Sequence, residues 1–399
     1  DWSSDVCSSD LMLEADSLMN QGYVNAALNK VSQASEANAA LNKRDFVSNL
    51  SKTLGNQTIF TLGYSETVMT ARLYARGYSE IDAGGYLVNN LGEEAVKSDA
   101  RLLGVRKYVK AYNSYNTMQE KAYSILQNYI NSDAKDIPYD ELIEKLEALR
   151  GQEGVDDKYI DYYKCFVAMQ ADKSIDVQLG FLLKMEKEYP EGLMIYGPTI
   201  TDYYYRSGDY AKAIEYADKM IAKNRNYYSA YEQKVTALLA KGDVDGAAKV
   251  CDALDTAENA AGVASGDYTS YSLRANLYWY TGKYDEAIKV CEEGLEASGG
   301  DSDIYRNEAI AYMLKGDYKK ANECGKAAYQ FSMNYGDLTL DMLNTAALAA
   351  GLAKDDETYK SMQDYLKTYN YEVSSVVTDC LAGKKTVEQV FITDGGVIS

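Results

Sequence analysis

The sequence of 399 residues contains no histidine and only three prolines. Without histidine the chain cannot carry a histidine-based catalytic triad, a histidine general base or an HExxH zinc site. Phosphate-binding loops of the GxGxxG or GxxxxGK[ST] type are also missing. No stretch approaches 18 consecutive apolar residues, so the sequence contains no candidate membrane span. These absences predict a protein that is not an enzyme and binds no cofactor or metal.

Basic residues are also in short supply. The chain has 41 lysines and arginines against 60 aspartates and glutamates, a net charge of −19. Nucleic-acid phosphates and anionic lipid surfaces attract lysine and arginine. We therefore expect no nucleic-acid partner and no direct membrane contact. The acidity fits a solvated surface that resists aggregation, or alternatively a basic partner.

Cysteine usage gives no disulfide framework. The six cysteines are scattered, without a CxxC pair. Such a pattern mildly favours either a reducing compartment, and with it a cytoplasmic location, or an anaerobic source. Cys251 and Cys291 are predicted to be small apolar fillers in the interior of the fold.

The most informative feature present is a repeated phrase. Gly-Asp-Tyr-x-x-Ala begins at Gly208 and recurs with variations at Gly242, Gly282 and Gly316, at steps of 34, 40 and 34 residues. A period of 34 residues is typical of stacked helix–turn–helix units. Glycine ends the first helix in a left-handed conformation, and the following aspartate caps the second. The alanine marks the place where the two helices cross. The sequence therefore predicts an all-α protein.

Helical spacing supports this architecture. Tyr271, Ala275 and Tyr278 lie on one face of the helix before Gly282, and Tyr305, Ala309 and Tyr312 repeat the pattern before Gly316. The combined pattern, aromatic–x3–small–x2–aromatic and then Gly-[Asp/Lys]-Tyr-x2-Ala, resembles the tetratricopeptide repeat family. The resemblance is closest over residues 194–335 and extends over 158–370, where Gly351 follows Gly316 by 35 residues. It implies a right-handed superhelical α-solenoid of antiparallel helix pairs.

The chain divides into a short first segment, residues 1–11, and three longer predicted segments. Residues 12–150 are interpreted as degenerate helical repeats or a separate helical domain, 151–370 as regular repeats, and 371–399 as a C-terminal cap or tail. Helices are expected at 12–21, 23–36, 40–54, 58–76, 93–131 and 139–150. The segment 93–131 is either one long helix or a broken pair. Gly84-Gly85 and Asn89-Asn90 are expected in turns, residues 259–267 in a surface loop, and the last apolar residues in a short strand, a cap or a docking peptide.

Residues 1–11 are interpreted as foreign. Their codons can be written as the end of a sequencing-library adapter, which predicts a translated artefact of assembly; the alternative is a genuine polar tail. Gly22 begins another inter-helix turn, and its first helix would need residues upstream of Met12. We therefore expect that native residues are missing, and with them any signal, membrane anchor or further domain. Without the three aspartates of this segment, 41 basic residues face 57 acidic ones, a net charge of −16.

The resemblance also implies where a partner binds. In this family the first helix of each repeat lines a concave groove. Carried onto this chain, its groove positions are Asp202, Tyr205, Glu232, Thr236, Asn276, Trp279, Arg306, Ile310 and Met313. Trp279 is either an exposed hot spot or a packing residue between repeats. Ser272 stands where the family's carboxylate clamp has a lysine, so recognition of a C-terminal carboxylate is not expected.

The function predicted from these residues is a protein-interaction scaffold that binds a peptide or protein partner in the groove. Two alternatives stay open. One is an extracytoplasmic or membrane-anchored spacer whose anchor is missing. The other is the regulatory arm of an enzyme domain lost upstream.

Overall fold

The computed structural model of the protein describes residues 8–42, 57–130, 132–261, 268–369 and 371–393. These residues form helices joined by short turns, and none of them lies in a β-strand. They divide into two compact units. The first unit extends to Gln233 and takes in residues 259–261, and the second contains residues 234–258 and the described residues from 268 onward. The prediction of an all-α protein is confirmed.

The first unit is built from eleven helices in the described ranges. They are α1 (Ser8–Asn20), α2 (Val24–Asn42), α3 (Gln57–Gly77), α4 (Glu80–Leu91), α5 (Glu93–Ser98), α6 (Arg106–Leu126), α7 (Tyr139–Glu147), α8 (Ile160–Gln170), α9 (Ile175–Glu188), α10 (Leu193–Arg206) and α11 (Tyr210–Lys223). Two further helices, α12 (Tyr228–Lys241) and α13 (Val244–Ala261), contribute residues to both units.

The second unit continues with antiparallel helix pairs. Its helices are α14 (Thr269–Tyr280), α15 (Tyr284–Ser298), α16 (Ser302–Lys315), α17 (Tyr318–Tyr335), α18 (Leu340–Leu352), α19 (Asp356–Thr368) and α20 (Ser375–Leu381). A short π-helical turn, Gln389–Thr393, follows. Among the described residues, no helix is both long and apolar enough to cross a bilayer.

The repeated phrase forms the turns that the sequence predicts. Gly208, Gly242, Gly282 and Gly316 all adopt φ between +77° and +86°, a conformation that costs glycine little. Asp209 and Asp317 then cap the next helix, each accepting a backbone N–H three residues later at 3.2 Å. The alanines at the crossing points are fully buried: Ala213, Ala247, Ala287 and Ala321. Gly22, with φ +88°, forms the same turn between α1 and α2.

The last repeat turns later than predicted. Gly351 lies inside α18, where a Cβ would stand 2.6 Å from the side chain of Leu381. Its role is therefore close packing. The left-handed residue of this turn is Lys354, with φ +58°, and Asp355 caps α19. The expectation that Gly351 marks the turn is wrong, because the register slips by three residues.

The glycine pair Gly84-Gly85 is not a turn. Both residues are buried within α4, and Asn89-Asn90 lies in the same helix. A Cβ on Gly84 would lie 2.1 Å from the carbonyl oxygen of Tyr108 in α6. The glycine therefore allows two helices to approach closely, as small residues do at helix crossings.

Other helix boundaries follow the sequence in part. The segment 93–131 is a broken pair: α5 is followed by a 3₁₀ turn, Ala100–Val105, and then by α6. Residues 40–42 extend α2, and the rest of the helix expected at 40–54 falls outside the described residues. Residues 259–261 of the expected loop continue α13. The other loop residues before 268 fall outside the described residues. The strand that was one expectation for the last segment is wrong for residues 375–393, which are helical or in turns.

Within the first unit, the hairpin of α1 and α2 packs against residues far along the chain. The backbone N–H of Arg225 donates to the carbonyl of Gly22 at 2.9 Å. The backbone N–H of Ala26 donates to Oδ1 of Asn226 at 3.3 Å, and Asn29 donates to the carbonyl of Ala261 at 3.0 Å. Repeats of a solenoid contact their neighbours, so this contact is additional to solenoid stacking.

An ionic cluster joins α7, α8 and α9 in the same unit. Asp161, whose side chain is 1% exposed, accepts from Lys184 at 3.0 Å and lies 3.4 Å from Arg150. Glu147 pairs with Arg150 at 2.6 Å and with Lys164. The hydrogen bond from Arg150, followed by the one from Lys164, lowers the pKa of Glu147 to about 2, against the opposing effect of its partial burial.

A candidate peptide-binding groove in the second unit

The first helices of the successive pairs in the second unit pack side by side. α14 contacts α16, α16 contacts α18, and α18 contacts α20. Residues on the shared face of these helices form one apolar cluster. It includes Trp279 on α14, Ile310 and Met313 on α16, and Leu348 on α18. The register predicted from the repeats thus brings Trp279, Ile310 and Met313 together.

Trp279 is fixed by a hydrogen bond as well as by packing. It is 4% exposed, and its indole N–H donates to Oδ1 of Asn307 on α16 at 3.0 Å. Asn307 in turn donates to the hydroxyl of Ser272 on α14 at 2.7 Å. A buried amide therefore bridges the two helices and holds the indole ring in place, which satisfies polar groups that would be costly to bury alone.

The segment after α19 is attached to the end of the helix array. Ser374 caps α20, and its backbone N–H donates to Oδ1 of Asn344 on α18 at 3.0 Å. Leu381, at the end of α20, fills the space above Gly351. The chain then turns at Gly383, with φ +73°. α20 thus takes the place that the first helix of another pair would occupy.

Beyond this turn the chain returns over the groove. Phe391 is 1% exposed, and its ring meets the Trp279 ring edge to face, with centroids 6.2 Å apart and planes at 71°. Val390 is 2% exposed and joins the same cluster as Ile310 and Met313. α20 packs on α18, whereas Phe391 reaches α14. The chain from α20 to Phe391 therefore crosses the face that these helices share. The apolar groove positions are therefore covered by the chain itself.

The other predicted groove residues are less deeply placed. In the second unit, Thr236 and Asn276 are half-buried, and Arg306 forms an ion pair with Asp341 on α18. Asp202 in the first unit is exposed, 3.7 Å from Arg206. Tyr205 and Glu232 are half-buried. The Tyr205 ring lies 5.7 Å from that of Tyr210. All six stay predictions as binding residues.

Acidic and thiol groups lie behind the groove. Glu308 on α16 is 7% exposed and burial raises its pKa, although a hydrogen bond with Cys324 opposes the rise. Burial also raises the pKa of Cys291 and Cys324, with Glu308 adding to the effect. Thiols with raised pKa are poor nucleophiles. This cluster is therefore suited to packing and not to covalent chemistry.

A second concavity lies at another edge of the same unit. It encloses about 420 Å³ between the ends of α17, α18 and α19, and its wall includes Met333, Leu340, Tyr365, Tyr369 and Tyr371. Tyr369 and Tyr371 are 59% and 51% exposed. None of the residues predicted from the repeat register lines this concavity.

The repeat pattern does not place the tail in the site, although a cap and a docking peptide were two of the expectations for its apolar residues. A local signal was present, because Thr386 and Gln389 have the spacing of a capping box before the run Val390-Phe391-Ile392. In the structure their side chains reciprocate: Gln389 accepts from the Thr386 backbone N–H at 2.8 Å, and Thr386 accepts from the Gln389 backbone N–H at 3.1 Å. That signal predicts a helical start, but it does not say where the run packs.

A family model agrees with the helix pairs. The tetratricopeptide repeat model matches residues 201–262 and 272–337. Curated protein sequences include no significant match. Similar solved structures include a tetratricopeptide repeat protein from Parabacteroides merdae, 14% identical, with a TM-score of 0.44 over 67% of this chain and 98% of that one. Yeast Tom70 is 12% identical, with a TM-score of 0.43 over 97% of this chain and 90% of that one. A Rap protein complexed with Competence and Sporulation Factor is 12% identical, with a TM-score of 0.39 over 95% and 99%.

Proposed function

We propose that the chain, as a member of the tetratricopeptide repeat family, is one of its interaction scaffolds. Its second unit binds an apolar peptide segment of a protein partner. The segment occupies the groove formed by α14, α16 and α18. One observation carries this proposal: the groove already buries Val390 and Phe391 of its own chain against Trp279. A surface that buries one such segment has the shape and chemistry to bury another.

The chemistry of the groove supports binding. Its clustered residues are aliphatic and aromatic side chains, with the amide of Asn307 behind them. Burying one phenylalanine contributes about 1.5–3 kcal/mol. An edge-to-face aromatic contact adds about 0.5–1.5 kcal/mol. One aromatic anchor thus supplies a useful share of the roughly 7 kcal/mol needed for a Kd near 10 µM.

A displayed library of random peptides tests the proposal on the full chain. Because the chain has two tryptophans, Trp2→Phe leaves Trp279 as the sole indole reporter in the groove. We expect enriched peptides to carry an aromatic residue between aliphatic ones and to change the Trp279 emission. Met313→Ala, which removes an anchor side chain from the groove, should weaken their binding by roughly tenfold.

The second concavity supplies the matched control. Tyr369→Ser alters that concavity and leaves the groove intact, so it should not change peptide affinity. Ile310→Val is a milder groove variant for use if Met313→Ala reduces the helical circular dichroism. Peptides whose binding depends on Tyr369 and not on Met313 would place the site elsewhere and refute the groove proposal.

A further inference from the structure

We infer that residues 386–393 are a built-in ligand of the groove, which a partner must displace with an aliphatic–aromatic–aliphatic segment of its own. This inference rests on the proposed function and adds to it the chemical class of the partner and the competitor that it meets. The model for the partner is the run Val390-Phe391-Ile392. The competitor is the same run, held at high local concentration because it belongs to the same chain.

The segment has the form of an amphipathic ligand. Val387, Val390, Phe391 and Ile392 all pack in the cluster, and the first three have the i, i+3 and i+4 spacing of one helical face. Glu388 and Gln389, between them, are exposed. A short helix that lays its apolar face in a groove is a recurring mode of peptide recognition. The tail therefore presents to the groove what a partner's helix would present.

Its attachment differs from that of α20. α20 is tied to α18 by the hydrogen bond from Ser374 to Asn344. The hydrogen bonds of Thr386, Gln389 and Val390, in contrast, close within the segment: two join Thr386 and Gln389, and the Val390 N–H donates to the Thr386 carbonyl at 3.1 Å. Apolar burial thus holds residues 386–393 on the groove. Because that contact is non-directional, another apolar segment can replace it.

The chain also provides a fixed point from which the segment can leave. Lys384 is anchored to the end of α20, with its backbone N–H donating to the carbonyl of Asp379 at 2.9 Å and its ammonium group 2.8 Å from the carboxylate. Gly383 forms the left-handed turn just before it. Release beyond Lys384 would therefore uncover Trp279 without detaching α20.

The size of the competition follows from linkage. A short tether holds its ligand at an effective concentration of about 1 mM. For a segment that binds with a Kd of about 10 µM, the closed state is favoured about 100-fold, and an external peptide of equal affinity binds about 100-fold more weakly than to an open groove.

A labelled synthetic peptide of residues 384–393 tests the inference on full-length chains. Its affinity is measured by fluorescence anisotropy for the wild type and for Phe391→Asp, in which a charged side chain replaces the anchor. We expect the peptide to bind Phe391→Asp between about 10-fold and 100-fold more tightly than the wild type. A peptide with aspartate in place of the phenylalanine should bind neither chain.

Glu388→Ala is the control on the same segment, because Glu388 is exposed. It should behave as the wild type does. If Phe391→Asp loses helical circular dichroism, Phe391→Ala replaces it.

A folded Phe391 variant that binds the peptide no better than the wild type would overturn the inference, since the tail would then be a fixed part of the core. If the tail inference fails in this way but library peptides still bind in a Met313-dependent manner, the proposed function stands. If the tail peptide binds as expected but no library peptide does, only the proposed function is refuted.

Discussion

Substitution of Gly84 by alanine should loosen the packing of α4 on α6. The new Cβ would lie 2.1 Å from the carbonyl oxygen of Tyr108 and 2.6 Å from the Cβ of Tyr112. A carbon and an oxygen ordinarily approach to about 3.3 Å. The two helices must therefore separate by about 1 Å, since a backbone carbonyl cannot rotate aside as a side chain can.

The magnitude follows from two opposing effects. Overpacking a tight interface costs about 1–3 kcal/mol, and replacing glycine with alanine inside a helix recovers up to about 1 kcal/mol. We expect a net loss of about 1–2 kcal/mol in the local stability of α4. Gly180 in α9 provides the matched control, because it is exposed and an added Cβ meets no atom within 4 Å. Gly180→Ala should stabilise its helix by about 0.5–1 kcal/mol.

Hydrogen–deuterium exchange measured by mass spectrometry separates the two effects, because it measures the stability of each helix within the full chain. Amides of α4 should exchange about 5–30-fold faster in Gly84→Ala. Amides of α9 should exchange more slowly in Gly180→Ala. If exchange in α4 is unchanged or slower in Gly84→Ala, the close helix approach does not require glycine, and the packing argument is refuted.

Three further predictions concern other parts of the chain. Ionised Glu147 stabilises the fold above pH 4.5, because its pKa is lowered, first by the hydrogen bond with Arg150. This contribution should be lost as the pH falls towards 2. Solvent exposure limits it to about 1 kcal/mol. An acid titration with and without Glu147→Gln, followed by circular dichroism, measures it, and equal acid sensitivity would contradict it. Lys354→Gly should raise the stability of the last helix pair by about 1 kcal/mol, because Lys354 adopts φ +58°; a lower urea midpoint would count against this. Asn307→Ala should cost about 1–3 kcal/mol, because it leaves the buried indole N–H of Trp279 without an acceptor; an unchanged urea midpoint and unchanged tryptophan emission would show that the bridge is dispensable.

The repeat turns could be predicted because each depends on residues next to one another. The left-handed glycine at Gly316, the cap at Asp317 and the small residue at Ala321 fall within six positions. A local conformational preference and a local hydrogen bond are enough to place such a turn. The last repeat departs from the rule because Lys354 takes the left-handed position, and no residue preference identifies lysine there.

Contacts between distant residues were not predictable in the same way. Gly84-Gly85 is a turn signal when only neighbouring residues are considered, and the reason for glycine there is the backbone of Tyr108 in another helix. Likewise, the docking of Gly22 against Arg225 joins segments about two hundred positions apart. Period and composition describe each helix, but they do not state which helix approaches another.

The candidate site shows the same division. Trp279, Ile310 and Met313, which the repeat register selects, lie in one apolar cluster, because register is a property of each helix. Their exposure depends on what covers them, and Phe391 comes more than a hundred residues after Trp279. Only the tertiary arrangement reveals that the apolar groove positions are already in contact with the tail.

This arrangement assigns different roles to the two kinds of groove residue in the proposed complex. The apolar positions set affinity, because a partner gains there only what exceeds the contact of Phe391 with Trp279. Asn276 lies three residues before Trp279 on α14 and is half-buried, so in the proposed complex a polar contact at that position would not require burial of a residue that the tail already covers. Such contacts distinguish one partner from another, because an unmatched polar group costs more than an apolar one gains. Selectivity should therefore be altered by changes at Asn276, and access to the groove by changes at Phe391.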